Sequence, residues 1–152
     1  MAERHVKSVT RSAIVGHSAE SLFALIEDIE SYPKFLPWCR SAHVRTRIEN
    51  RSVATLSVGV RGIQQSLTTE NLITPGTAID MRLVEGPFKQ FSANWRLTPL
   101  GDHAARVEFA MAYVFSSRVL AKLLEPLFGQ IADTMVDAFV RRADALYARP
   151  ED

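Results

Sequence analysis

The chain has 152 residues, of which 47 % are hydrophobic, and a formal net charge of +1 at pH 7. This length is typical of one domain, so residues 1–152 are predicted to form a single domain with a full-sized core. The balanced charge argues against a DNA-binding protein, because such proteins usually present a strongly basic face.

The only cysteine is Cys39, which excludes an intramolecular disulfide and favours a reducing compartment. The first residues, Met1 to Val6, carry neither an apolar signal core nor an Arg/Ser-rich transit segment. No run approaches the ~20 apolar residues of a membrane span. We therefore expect a cytoplasmic protein.

The first predicted elements are a strand from about Val6 to Val15 and two short helices. Ser18 is the predicted N-cap of the first helix, with Glu20 in the first turn, where a negative charge is favoured. Ser31-Tyr32-Pro33 predicts the start of a second short helix, which Pro37 ends.

A basic cluster follows, made of Arg40, His43, Arg45, Arg47 and Arg51. Two interpretations stay open. The cluster is either a solvated strand face or a patch that contacts ribosomal RNA electrostatically.

The middle of the chain reads as a series of strands separated by four turns, Val60-Arg61-Gly62, Thr74-Pro75-Gly76, Glu85-Gly86-Pro87 and Leu100-Gly101-Asp102. Between the turns, apolar and polar residues alternate with a period of two, which is typical of antiparallel strands with one buried face. The short turns predict a meander. The alternating apolar faces are Ala54, Leu56, Val58 and Val60; Ile79, Met81 and Leu83; Phe91, Ala93, Trp95 and Leu97; and Val107, Phe109, Met111, Tyr113 and Phe115.

A long amphipathic helix is predicted from Ser117 to about Ala148, with Pro126 either bending it or marking its first turn. Its apolar stripe contains Leu120, Leu124, Leu127, Ile131, Met135, Phe139 and Leu146, widened by Phe128, Ala132 and Val136.

One apolar sheet face and one apolar helix stripe must cover each other, which predicts an α+β fold with a curved antiparallel sheet wrapped around the long C-terminal helix. If the two short helices close one end, a void between sheet and helix becomes the candidate site. Its predicted wall consists of Leu56, Val58, Met81, Phe91, Trp95, Phe109, Met111, Phe128, Ile131 and Met135.

Two further stretches, Tyr32–Cys39 and Glu85–Lys89, are candidates for a wall or gate of this cavity. The alternatives are a rigid core plug for the first stretch and a simple hairpin turn for the second. The wall interpretation adds Tyr32, Phe35, Leu36, Trp38 and Phe88 to the predicted ligand-binding residues. Lys34, Lys89 and the indole N–H groups of Trp38 and Trp95 are candidate hydrogen-bond donors to a ligand.

Motifs for catalysis are missing. The four histidines are scattered, and no Cys/His pair has the spacing of a metal site. Cys39 and His43 are close in sequence, but no third group orients them as a nucleophile and its base. We therefore predict a protein that is not an enzyme and that needs neither a metal nor a cofactor.

The segment from Ser18-Ala19-Glu20 through Tyr32-Pro33-Lys34-Phe35-Leu36-Pro37-Trp38-Cys39 resembles the coenzyme Q-binding START-like family. The Glu85–Lys89 turn, the Trp95 strand and Ala138-Phe139 with Arg141-Arg142-Ala143 match as well, so the resemblance covers essentially the whole chain. It implies the helix-grip fold of the wider polyketide cyclase and START superfamily, with a deep hydrophobic cavity and no catalytic triad. For mitochondrial members it implies ubiquinone binding in support of respiration, and for bacterial members also a block of ribosomal subunit joining. The lack of a mitochondrial presequence favours a bacterial member.

Three functional hypotheses follow. The favoured one is non-enzymatic binding of an isoprenoid quinone, ubiquinone above all, in support of respiratory electron transport and with transient contact to the inner membrane. The second is a ribosome-association inhibitor, the toxin of a toxin–antitoxin pair, that binds the large ribosomal subunit. The third is an enzyme of the polyketide cyclase or aromatase kind.

Overall fold

The computed structural model describes residues 6–147. Two sequence predictions reach beyond this range: the end of the last helix at Ala148, and the absence of a leader, which rests on residues 1–5 as well as on Val6. Both lie outside the described residues.

Seven strands form one antiparallel sheet: β1 (Lys7–Val15), β2 (Cys39–Ile48), β3 (Arg51–Val60), β4 (Ile63–Thr74), β5 (Ala78–Glu85), β6 (Phe88–Pro99) and β7 (Ala105–Phe115). Their order is β1-β7-β6-β5-β4-β3-β2, so that consecutive strands from β2 to β7 are neighbours and β1 and β2 are the two edges. The predicted meander is therefore confirmed. The first and last strands of the chain also pair, with Lys7 opposite Tyr113 and Val15 opposite Ala105.

The first helix, α1, spans Ala19–Glu27 and begins as predicted. Ser18 Oγ accepts a hydrogen bond from the backbone N–H of Ser21 at 3.1 Å, which satisfies a donor that the first turn leaves unpaired. The second short helix is a 3-10 helix that spans Ile29–Lys34, so it starts before the predicted Ser31 and ends before Pro37. It starts early because the Ser31 N–H donates to Asp28 O at 3.1 Å and closes a turn upstream.

The long helix, α2, spans Arg118–Leu146, and Ser117 Oγ caps it by accepting from the Leu120 N–H at 3.1 Å. Pro126 lies inside the helix and does not mark its first turn. Leu146 was predicted on the buried stripe but is 49 % exposed, because it lies past Ala143, the last buried residue of the helix. The buried stripe consists of Leu124, Leu127, Phe128, Ile131, Ala132, Met135, Val136, Phe139 and Ala143.

Helix α2 packs across the inner face of the sheet and contacts β1, β7 and α1. The predicted α+β architecture, a curved antiparallel sheet around a long C-terminal helix, is thus confirmed. Two exposed ion pairs join α2 to β1, Lys7–Glu125 at 3.6 Å and Arg11–Asp133 at 2.8 Å, and such pairs stabilise a fold little. A hydrogen bond between His17 Nε2 and Asp144 Oδ1, at 2.7 Å, joins α2 to the turn after β1.

Candidate functional site

A cavity of about 70 Å³ lies between the inner face of the sheet and α2. Small-molecule sites usually measure roughly 300–1,000 Å³. In this conformation the side chains therefore fill most of the space that the sequence predicted as a void.

Three of the predicted ligand-binding residues do not reach the cavity wall. Phe35 packs with its ring centroid 5.0 Å from Phe139, on the side of α2 away from the cavity. Leu36 is 1 % exposed and buried in the core. Phe88 points inward, but it lies behind Phe91 and Phe128, with ring centroids 5.1 and 5.0 Å away. The other predicted residues line the cavity: Tyr32, Trp38, Leu56, Val58, Met81, Phe91, Trp95, Phe109, Met111, Phe128, Ile131 and Met135.

Two groups of interlocked aromatic rings bound the cavity at its ends. The first aromatic cluster consists of Tyr32, Phe35, Trp95, Phe109 and Phe139, with centroid separations of 4.7–6.1 Å. The second aromatic cluster consists of Phe88, Phe91, Tyr113, Phe115 and Phe128, with separations of 5.0–5.8 Å. Rings at these distances and tilts attract one another beyond the burial of their surface.

The wall between the clusters is aliphatic and rich in methionine. The chain has four methionines, and the three after Met1, namely Met81, Met111 and Met135, all line the cavity. Methionine is unbranched and polarisable, so it adapts to ligands of different shape.

Of the groups predicted as hydrogen-bond donors to a ligand, Trp95 lines the cavity, Trp38 is engaged elsewhere and the two lysines lie away from the cavity. Trp38 Nε1 donates to Thr134 Oγ1 at 3.0 Å, and Thr134 in turn donates to Gln130 O. Lys34 and Lys89 are exposed and do not line the cavity. For Trp38, the local hydrogen bond is the observed role.

Of the described residues that line the cavity, Tyr32 alone is titratable. Its hydroxyl donates to Ile26 O, and burial, followed by the nearby Cys39 and Asp28, raises the pKa of the phenol. The phenol therefore stays protonated and hydrogen-bonded to the backbone, and it cannot act as a general base toward a ligand.

Cys39 is buried beside the wall, next to Trp38. Burial raises the pKa of its thiol to about 11, so the thiolate that a nucleophile requires is scarce at neutral pH. Within residues 6–147, no group of three His, Cys, Asp or Glu side chains is placed to hold a metal ion.

Three residues of the cavity wall were not predicted from the sequence: Leu67, Thr69 and Ala93. Ala93 lies on an alternating apolar face of β6, but a small alanine side chain does not by itself indicate a ligand site. Leu67 and Thr69 belong to β4, where Gln64, Gln65 and Ser66 obscure the apolar alternation. The register that sets Leu67 opposite Leu56 and Thr69 opposite Ala54 places both on the inner face.

The basic cluster lies on the edge strand β2 and at the start of β3. Arg47 pairs with Glu27 at 2.8 Å, His43 Nδ1 lies 3.3 Å from Glu30, and Arg51 lies 4.0 Å from Glu70. Arg40 and Arg45 are exposed and form no ion pair with any residue from 6 to 147. The described helices include none that is long and apolar enough to cross a membrane.

Comparison with known proteins adds the following findings. Residues 15–140 match the family described as polyketide cyclase/dehydrase and lipid transport. The chain is 41 % identical over 142 residues to the ribosome association toxin RatA of Vibrio cholerae, covering 93 % of this chain and 99 % of that protein. It is 25 % identical to the mitochondrial coenzyme Q-binding protein COQ10 homolog B of Xenopus laevis, over 93 % of this chain and 60 % of that protein. The Zhui aromatase/cyclase of a Streptomyces species superposes with a TM-score of 0.81 at 17 % identity, over 92 % of this chain and 94 % of that one, a likeness of fold.

Proposed function

Since the chain belongs to the polyketide cyclase/dehydrase and lipid transport family, we propose that it binds an isoprenoid quinone, with ubiquinone the leading candidate, and catalyses no reaction on it. The observation that carries this proposal is the apolar cavity between the two aromatic clusters, walled by three methionines. The similarity to a coenzyme Q-binding protein supports the choice of ligand.

The composition of the wall suits an isoprenoid tail. Burying one CH₂ is worth about 0.8 kcal/mol, so each isoprene unit gives up roughly 3–4 kcal/mol when it leaves a bilayer. A cavity that accepts the tail must offset most of that free energy by surrounding the tail with apolar side chains. Aliphatic, aromatic and methionine side chains provide such surroundings, and a polar wall does not. Met81, Met111 and Met135 would rearrange to enlarge the cavity as the ligand enters.

The chemistry of the wall supports binding over catalysis. The general acids and bases of a cyclase need titratable groups that face the substrate. Here Tyr32 is the one titratable wall residue, and its proton is held by Ile26 O. A polyketide cyclase or aromatase activity is therefore the least supported of the three hypotheses.

The biological setting is part of the same proposal. Residues 1–152 act as one domain in the cytoplasm, which takes up and returns quinone by transient contact with the inner membrane and so supports respiratory electron transport. Binding is reversible, because nothing in the wall forms a covalent bond with a quinone.

Mass spectrometry of the purified protein tests the proposal. The protein is expressed in a quinone-making host and extracted with organic solvent, and we expect close to one isoprenoid quinone per folded chain. Met111→Trp fills the cavity and removes the quinone, whereas Ile14→Trp, at a position 71 % exposed on β1, retains it. Folded wild-type protein that carries no lipid and takes none up from quinone-loaded vesicles would overturn the proposal.

A second candidate function is binding to the large ribosomal subunit, as the toxin of a toxin–antitoxin pair. The 41 % identity to a ribosome association toxin favours it, and the unpaired, exposed Arg40 and Arg45 are its candidate RNA contacts. Such contacts release counterions, so co-sedimentation with 50S subunits should weaken steeply between 50 and 200 mM salt. Arg40→Gln with Arg45→Gln should flatten that dependence, while Arg82→Gln, which removes a surface partner of Glu70, should not. Binding that is insensitive to salt and to both changes would count against this function.

A further inference from the structure

A chain of three buried polar side chains runs along the inner face of β3 and β4, beside the cavity. Ser52, Thr69 and Asn71 are 2 %, 9 % and 2 % exposed. Ser52 lies opposite Asn71 in the ladder, and Thr69 lies opposite Ala54. Of the three, Thr69 lines the cavity. Polar groups in an apolar interior are costly unless each is paired, so the direction of every hydrogen bond in the chain matters.

The hydrogen bonds run in one direction, away from the cavity. Thr69 Oγ1 donates to Asn71 Oδ1 at 2.8 Å, and Asn71 Nδ2 donates to Ser52 Oγ at 3.3 Å. The 2.8 Å distance is typical of O–H···O, and the 3.3 Å distance is long for N–H···O and longer still for O–H···O, which fits this orientation of the amide. The single proton of Thr69 is therefore committed to Asn71, and the hydroxyl presents only acceptor lone pairs to the cavity.

We propose that Thr69 Oγ1 is the polar anchor of the cavity and accepts a hydrogen bond from a hydroxyl group on the ligand. The cavity then prefers a phenolic or quinol head group over the matching carbonyl or ether. This inference rests on the proposed binding of an isoprenoid quinone and adds that the reduced form binds more tightly. Asn71 acts as a positioning residue, because it fixes the Thr69 proton without lining the cavity.

The neighbouring threonine supplies a matched control. Thr68 is also buried, and its hydroxyl also has a side-chain partner, since Thr68 Oγ1 lies 2.8 Å from Thr55 Oγ1. It is on the opposite face of β4 and does not line the cavity. At this point the ladder shifts register, with Thr68 opposite Glu85 and Thr69 opposite Leu83, a bulge of the kind that re-aims side chains next to sites.

The test uses two redox-inert probes with the same tail, 4-farnesylphenol and its methyl ether, and measures their binding to the whole protein by equilibrium dialysis. We expect wild-type protein to bind the phenol about tenfold more tightly, as one hydrogen bond in a dry site allows. Thr69→Val should remove this preference, Thr69→Ser should keep it, and Thr68→Val should leave it unchanged.

The outcomes separate the two proposals. If folded wild-type protein binds neither probe, the proposed lipid binding itself fails. If wild-type protein binds both probes equally, lipid binding stands and the anchor at Thr69 is overturned, a result that needs no variant to fold. A preference that persists in folded Thr69→Val also overturns it and points to another acceptor in the wall, such as the phenol oxygen of Tyr32.

Discussion

The two aromatic clusters and the methionine-rich region between them are built on the same helix and sheet, yet their packing differs. In the clusters most rings pack against two or more others, and Phe139 alone has Tyr32, Phe35 and Trp95 within 5.2 Å. In the middle region, flexible side chains surround a small cavity. We therefore expect the packed rings to contribute mainly to stability and, under the proposed function, the methionine-rich region to contribute mainly to ligand binding.

On α2 the two kinds of region alternate along a single stripe. Phe128 belongs to both the second aromatic cluster and the cavity wall, Ile131 and Met135 belong to the wall, and Phe139 belongs to the first aromatic cluster. A substitution should therefore affect stability or binding according to where on the stripe it falls, and the predictions below use that contrast.

The largest expected effect is on stability, at the centre of the first aromatic cluster. Phe139→Ala should lower the free energy of unfolding by about 3–5 kcal/mol, because it removes a ring that is 2 % exposed and leaves a cavity. Urea unfolding followed by circular dichroism measures the change. A loss below about 1 kcal/mol would mean that the cluster collapses as readily as the middle region, and the contrast would fail.

Labelling of the Cys39 thiol measures whether the cavity wall opens near the first aromatic cluster. With the pKa of Cys39 raised to about 11 by burial, its thiolate fraction at pH 8 is on the order of 0.1 %. Iodoacetamide should therefore modify the folded protein at least about a hundredfold more slowly than the urea-unfolded protein. Because burial raises the pKa of Cys39, rising pH ionises the thiol of the unfolded chain first and so lowers the stability of the fold, and labelling should accelerate as pH rises. Rapid labelling at pH 8 would show that the region around Trp38 opens easily.

A smaller effect is expected where Trp38 is fixed to α2. Thr134→Val leaves the buried Trp38 Nε1 without its acceptor at 3.0 Å, and we expect a loss of about 1 kcal/mol in unfolding free energy. The same change at the exposed Thr98 should stay within about 0.5 kcal/mol. Equal losses of unfolding free energy for the two threonine variants would mean that the hydrogen bond from Trp38 to Thr134 does not stabilise the fold.

The smallest stability effect should come from the middle region. Met111→Leu nearly conserves volume, so the melting temperature should move little, by the equivalent of less than about 1.5 kcal/mol. Binding of long isoprenoid tails should nevertheless weaken, because leucine is branched and adapts less. A calorimetric titration with quinones of increasing tail length tests this, and an unchanged preference for length would contradict the assigned role of methionine.

Much of the fold could be predicted because its determinants are local. Ser18 and Ser117 cap helices through their own side chains, and the alternation of Phe109, Met111 and Tyr113 fixes which face of β7 is buried. The long helix follows from the spacing of its apolar stripe, and these signals need no knowledge of distant partners.

The positions of several predicted site residues depend on partners far away in sequence. Phe35 does not line the cavity because it packs against Phe139 in the first aromatic cluster. Phe88 lies behind Phe91 because the ladder between β6 and β7 shifts register between Phe88 and Gln90. Thr69 reaches the wall only through the register that sets it opposite Ala54. The size of the cavity could not be predicted either, because it is a small difference between two large volumes. One is the space that the curved sheet and α2 enclose, and the other is the volume of the side chains that fill it.

The most direct test of the central claim is a titration followed by the methyl resonances of methionine. The three methionines after Met1 all line the cavity, so their labelled methyl groups report its occupancy. With ubiquinone-2 as ligand, the account predicts that the resonances of Met81, Met111 and Met135 shift together and saturate at one ligand per chain. If the protein is folded and these resonances stay in place while ligand binds elsewhere or does not bind, the cavity is not a quinone site.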